Sequence, residues 1–219
     1  MRWVLAAAFA LAGCPGPGDG STVDAPVDPQ KLGIHLAWAT ATAIPGAVDN
    51  EVTISSARLG LSDVRVIGDA GPGDPRTQLA RLVLAWGRGA APQTYTFVDA
   101  PTGLYSRIRF ELEADAATPA AYEILGTARI NNADVPFRIS DTKELDVNVS
   151  VKRVMLPPGG DCDLSLTLDF EKVIERVEFE MLPLVDGVRV LDENSPRIND
   201  VRKAVRMDLF RKPENEQGS

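Results

Sequence analysis

The sequence predicts a mostly-β protein: an antiparallel β-sandwich, or an open barrel, with a C-terminal amphipathic helix. Three observations carry this reading. From Gly33 onward, apolar residues alternate with polar ones, the mark of strands with one buried face. Turn-forming pairs and Pro/Gly loops break the alternation at short intervals. No long pattern of helical period lies between the alternating runs, as parallel βαβ units would require.

The elements follow in order. Ile34, Leu36 and Trp38 share one phase. Val52 with Ile54, Leu59 with Leu61, and Val64 with Val66 form a series whose phase slips twice, which predicts β-bulges or separate strands. "LARLVLAW" (79–86) is apolar on both faces and reads as a central strand. Leu104, Ile108, Phe110 and Leu112 face inward, leaving Tyr105, Arg107, Arg109 and Glu111 outward. Tyr122, Ile124, Ala128 and Ile130 lead through Asn131-Asn132 into Val135, Phe137 and Ile139, the pattern of a hairpin. Leu145, Val147, Val149 and Val151 alternate most cleanly, and Cys162, Leu164, Leu166 and Leu168 follow the loop "LPPGGD". "FEKVIERV" (170–177) predicts one or two helical turns, and "VDGV" (185–188) a second tight hairpin. Ser195 is placed to cap a last helix, Pro196 to open it, and Ile198, Val201, Val205 and Leu209 fall on one stripe.

Composition bounds the function. The chain has 219 residues, 44% of them hydrophobic and 25% charged, enough to bury a core of ordinary size. Its net charge of −8 opposes nucleic acid as a partner, because such binding needs a basic face that displaces counterions. His35 is the sole histidine, which narrows metal and acid–base chemistry, and no cofactor is expected. There is no G-x-S-x-G elbow and no Walker A loop. The reading is therefore not an enzyme.

The N-terminus reads as an export signal. Arg2 supplies a positive charge, and Val4 to Ala12 form an apolar run too short to span a bilayer. The run ends in Leu11, Ala12, Gly13 and Cys14. Position by position, these four residues resemble the lipobox of bacterial lipoproteins. The resemblance implies a signal peptide over 1–13, cleavage before Cys14, and a diacylglyceryl group on its sulfur. Two or three acyl chains on one residue hold a protein at a membrane stably, where one chain does so only marginally. The alternative is a plain signal peptide whose Cys14 later enters a disulfide. Residues 14–31 comprise Cys14 and a stretch rich in Pro, Gly, Ser and Asp that predicts a tether, whose roughly 17 residues reach about 20–25 Å as a coil. Pro15, where inner-membrane lipoproteins carry Asp, implies an outer-membrane address. The folded domain is expected over 32–211, and 212–219 are expected to be disordered.

Several residues invite a chemical reading beside a plainer one. Cys162 loses its only partner if Cys14 is alkylated, yet its phase predicts a small core residue. Asp161, Asp163 and Asp169 share one strand face and form a weak Ca²⁺ candidate, as do Asp69 and Asp74 in their loop; a solvated surface is the plainer reading. His35 alternates with core residues and belongs on the surface of the sheet. On the last helix Arg202, Lys203 and Arg206 make a local basic excess, suited to an acidic partner or to anionic headgroups. The plainer reading is a solvated helix face.

A second resemblance covers about Val52 to Phe170. "PTGLYSRIRFELE" (101–113) and "YEILGTARINNADVPF" (122–137) are similar to segments of uncharacterised β-sandwich domains in bacterial envelope lipoproteins. Those domains share no activity, so no functional residue carries over. The expectation is a lipid-anchored envelope protein that supports the envelope or binds another envelope protein. The runner-up is a binding module for a small ligand, metal ion or glycan, and an enzyme built on paired carboxylates comes third.

Overall fold

The structure, a computed structural model, describes residues 32–49, 51–69, 71, 73–87, 93–115 and 119–211. The signal, the lipobox, the tether and the 212–219 tail lie outside the described residues.

The described chain is a two-sheet β-sandwich with a C-terminal helix. Its strands are β1 (Gly33–Thr40), β2 (Gly46–Ala47), β3 (Val52–Gly68), β4 (Gln78–Gly87), β5 (Gln93–Phe97), β6 (Gly103–Leu112), β7 (Tyr122–Ile130), β8 (Ala133–Asp141), β9 (Leu145–Leu156) and β10 (Asp161–Leu168). A single turn of helix α1 (Glu171–Ile174), the hairpin β11 (Leu184–Val185) and β12 (Val188–Leu191), helix α2 (Ile198–Met207) and β13 (Phe210–Arg211) follow. One sheet runs β13-β10-β1-β5; the other runs β11-β12-β8-β7-β3-β6-β9, with β2 and β4 also on β3. Two pairings are parallel, β1 with β10 and β12 with β8. Neither is a βαβ crossover: β1 and β10 are brought together from opposite ends of the domain.

β3 is the spine. It is one 17-residue strand, not several. On one edge it carries β4; on the other, β7 pairs along Val52–Leu59 and β6 along Leu61–Gly68, so the two lie end to end. Gly60 marks the junction, donating to the Ala121 carbonyl at 3.0 Å and accepting from the Glu113 amide at 2.9 Å. The two slips of apolar phase are bulges. The register shifts between Ile54 and Ser56 against β7, and between Ser62 and Arg65 against β6, where Asp63 takes a φ of 48°. Each extra residue returns the next apolar side chain to the core.

The core lies between the sheets. Trp38 of β1 packs edge-on against Phe110 of β6 at 5.4 Å, and Phe110 against Phe210 of β13 at 4.9 Å. The predicted inward residues Ile34, Leu36, Ile54, Leu59, Leu61, Val64, Phe110, Ile124, Phe137, Val147 and Leu166 are all buried. Asn131 and Asn132 both take positive φ, as do Asp186 and Gly187, so both hairpins turn as expected.

Three expectations are corrected. Tyr105 points inward and is fully buried, because β6 is irregular between Tyr105 and Arg107 and its phase shifts there. Its hydroxyl donates to the Pro101 carbonyl at 2.6 Å, a tyrosine corner of the kind that fixes the turn into a sandwich strand. β4 is not central: among the described residues β3 is its only strand partner, and while Leu82, Leu84 and Trp86 turn to the core, Trp86 against Phe170, Val83 and Ala85 on the other face are only half-buried. Ser195 does not cap α2 with its side chain. Its hydroxyl accepts from the Asp192 amide at 2.9 Å, while its carbonyl receives the Ile198 amide at 3.1 Å.

Tyr105→Phe removes the corner bond and leaves the partly buried Pro101 carbonyl without that donor. Urea unfolding should show a loss of about 1–2 kcal/mol with the fold retained.

Candidate functional site

The most developed polar constellation sits where α2 packs against the end of β8 and the start of β9. Ile198, Val201, Ala204 and Val205 bury one face of α2, which sets the side of the helix turned to the core. Asp141, the last residue of β8, continues the inward phase of Phe137 and Ile139 and is 1% exposed. A carboxylate there needs partners. Arg202 grips it with two bonds, Nε to Oδ2 at 2.6 Å and Nη2 to Oδ1 at 2.9 Å. The Tyr122 hydroxyl reaches Oδ2 at 3.2 Å and the Lys143 amide donates to Oδ1 at 3.1 Å. Burial by itself raises the Asp141 pKa. The Arg202 bonds, the Lys143 amide and the Tyr122 hydroxyl outweigh it, so the group sits below its ordinary value. Burial first, then the Asp141 charge, drive the Tyr122 phenol far upward, so it stays protonated.

This answers for one of the three basic residues predicted to meet a partner. Arg202 is turned inward and committed to Asp141. Lys203 and Arg206 are exposed, and neither has an ion-pair partner among the described residues. They border two adjoining grooves along the outer flank of α2. One, of about 530 Å³, runs past Lys143, Glu144 and Asn199; the other, of about 690 Å³, runs past Asp146–Ser150 of β9 to Phe210.

The remaining candidates do not converge. Asp161 and Asp169 stand at opposite ends of β10, eight residues and so roughly 26 Å apart. Asp169 pairs with Arg211 at 3.0 Å, and Asp161 lies 3.9 Å from His35. Asp74 is held by Arg76 at 2.7 Å, and Asp69 accepts the Leu104 amide at 3.0 Å. Among the described residues no three His, Cys, Asp or Glu side chains gather as metal ligands would. His35 is on the outer face of its sheet, as expected, with Nδ1 3.0 Å from the Thr96 hydroxyl. Cys162 packs partly against the core. Burial, then the charges of Asp163 and Asp161, push its thiol up to about 11. Trp38 is buried and Trp86 leans on Phe170, so the two do not form an exposed aromatic pair.

A third groove, about 550 Å³ and mostly apolar, lies on the outer face of β7, β8 and the β11–β12 hairpin. Leu125, Pro136, Val185, Val188 and Val190 line it. The sequence reading missed both this groove and the Asp141 network. Only Asp141 left a signal, as an acid in the inward phase of a strand. Among the described residues no helix is long and apolar enough to cross a membrane. No family model, curated protein or solved structure matches this chain.

Two measurements check this account. Arg202→Leu leaves a buried carboxylate without its countercharge and should cost about 3–5 kcal/mol in chemical unfolding. Because Asp141 has a lowered pKa in the folded state, its contribution is complete at neutral pH. It fades as pH falls below the ordinary Asp range near 4, a loss that Arg202→Leu should not show. For Cys162, a pKa raised by about two units cuts the thiolate fraction at neutral pH about a hundredfold. Peptide-mapped alkylation should therefore be slow in the native protein and fast in urea.

Proposed function

We propose that this chain is a lipid-anchored protein of the bacterial cell envelope with a non-enzymatic role, supporting the envelope or binding another envelope protein. One observation carries the reading: Leu11-Ala12-Gly13-Cys14 stands at the end of a charged and apolar leader, directly before a Pro/Gly/Asp-rich stretch. That order is what cleavage, acylation and tethering require of a sequence. Pro15 favours the outer over the inner membrane. The position of Gly33 supports a tether. β1 starts there, beside the Pro157–Gly160 loop whose last carbonyl accepts the Gly33 amide at 3.1 Å, so the preceding chain leaves from one end of the sandwich. α2 lies toward the other end of β10, where the Asp169 amide bonds the Leu209 carbonyl at 2.8 Å.

The apolar groove over β7, β8 and β12 favours a second reading, a binding module for a small apolar ligand.

Acyl labelling in cells decides the first reading. Wild type should take up labelled fatty acid and yield a mature chain beginning at Cys14; Cys14→Ala should take up none and escape that cleavage. An unlabelled wild type whose mature chain starts elsewhere would end the lipoprotein reading.

A further inference from the structure

Of the four strands that end the two sheets, β9 is the long one. It has 12 residues, against two in β13, two in β11 and five in β5. Among the described residues its one strand partner is β6. Among the described residues, no backbone bond outside that pairing engages residues 146–150. An edge of this length presents a row of amides and carbonyls that can take another strand. β4 also has one strand partner among the described residues, but both its faces are half-buried and its own cation, Arg81, is paired with Asp115 at 2.5 Å.

The surroundings of the β9 edge are specific. The groove along Asp146–Ser150 is walled by α2, which supplies Arg206 and the 63% exposed Met207. Lys203 and Lys143 border its continuation. None of the three cations has an ion-pair partner among the described residues. Two carboxylates face the same trough. Asp146 is engaged by Arg109 at 2.9 Å, which leaves Glu144 as the opposing charge. In a chain of net −8, three unpaired cations against one acid beside an open strand edge select for an acidic partner.

We propose that this trough receives an extended, acidic segment of a partner protein, which adds as a strand to β9 while its carboxylates meet Lys143, Lys203 and Arg206. The edge amides set the backbone register, and the cations set the charge of the side chains on the α2 side. A bilayer surface offers no strand to pair with this edge. The trough also lies along the α2 flank, away from the end where Gly33 receives the preceding chain. The inference does not depend on acylation of Cys14, and it concerns a different surface from the apolar groove.

The test uses the full chain and a fluorescent peptide of about ten residues, the length of a strand, alternating Glu with Val. Anisotropy should report binding that weakens about tenfold in Lys203→Glu/Arg206→Glu, two exposed positions that leave Arg202 in place. An N-methylated peptide of the same charge should not bind, because it cannot complete the ladder. Equal binding of the methylated peptide would refute strand addition. Equal binding of a Gln–Val peptide would refute the charge match. Should the peptide fail while anionic vesicles or a second copy of the chain bind in a Lys203- and Arg206-dependent way, the proposal is wrong.

Discussion

The fold depends on a single constraint: β3 must keep one face apolar over 17 residues while two strands in succession pair along the same edge. A strand has a side-chain period of two, so any change of register moves its whole apolar set to the wrong side. The bulges near Ser55 and Asp63 absorb the two changes. They allow Ile54, Ala57, Leu59, Leu61, Val64 and Val66 all to be buried despite their uneven spacing. Everything else hangs on this strand. β7 carries β8 and the β11–β12 hairpin, β6 carries β9, and the smaller sheet closes over both through Trp38, Phe110 and Phe210.

Regular alternation and tight turns were legible in the sequence. Alternation placed the strands, because each strand writes its own burial into neighbouring residues. The Asn131-Asn132 and Asp186-Gly187 turns declared themselves because few residues tolerate positive φ. What could not be read was pairing at a distance. Nothing in Gly33–Thr40 names Asp161–Leu168 as its parallel neighbour, since backbone bonds are the same for every sequence. β4 was misread for a related reason. Apolar residues on both faces signal burial from two sides, yet Val83 and Ala85 on the outward face are only half-buried. Tyr105 was misassigned because one irregularity, between Tyr105 and Arg107, inverts the phase upstream of it.

The candidate site was half legible. Lys203 and Arg206 were singled out and do face solvent. Arg202 was grouped with them because three cations close together on a helix look alike in sequence. Its fate is settled by Asp141, 61 residues away, whose burial turns an ordinary acid into one that must be paired. The chain carries many carboxylates, and several pair near the surface: Asp63 with Arg65, Asp74 with Arg76 and, across the fold, Asp169 with Arg211. These partly exposed pairs contribute little stability each. The Asp141 pair differs because its carboxylate is buried, so losing Arg202 leaves the charge out of reach of bulk solvent.

That burial also ties the interior to the surface. Residues 202, 203 and 206 lie within one turn or so of α2, so the direction of one side chain sets the direction of the others. Ile198, Val201 and Val205 seat the helix, and the two bonds from Arg202 to Asp141 hold its rotation against slippage. With Arg202 turned inward, Lys203 and Arg206 are left to line the trough beside β9. A helix seated by apolar packing alone tolerates small rotations, because dispersion contacts are individually weak. A bidentate guanidinium–carboxylate pair is directional and does not. The buried pair therefore does for the cations on this flank what the bulges do for the core of β3: it converts a local chemical demand into a fixed direction for side chains that do not share it.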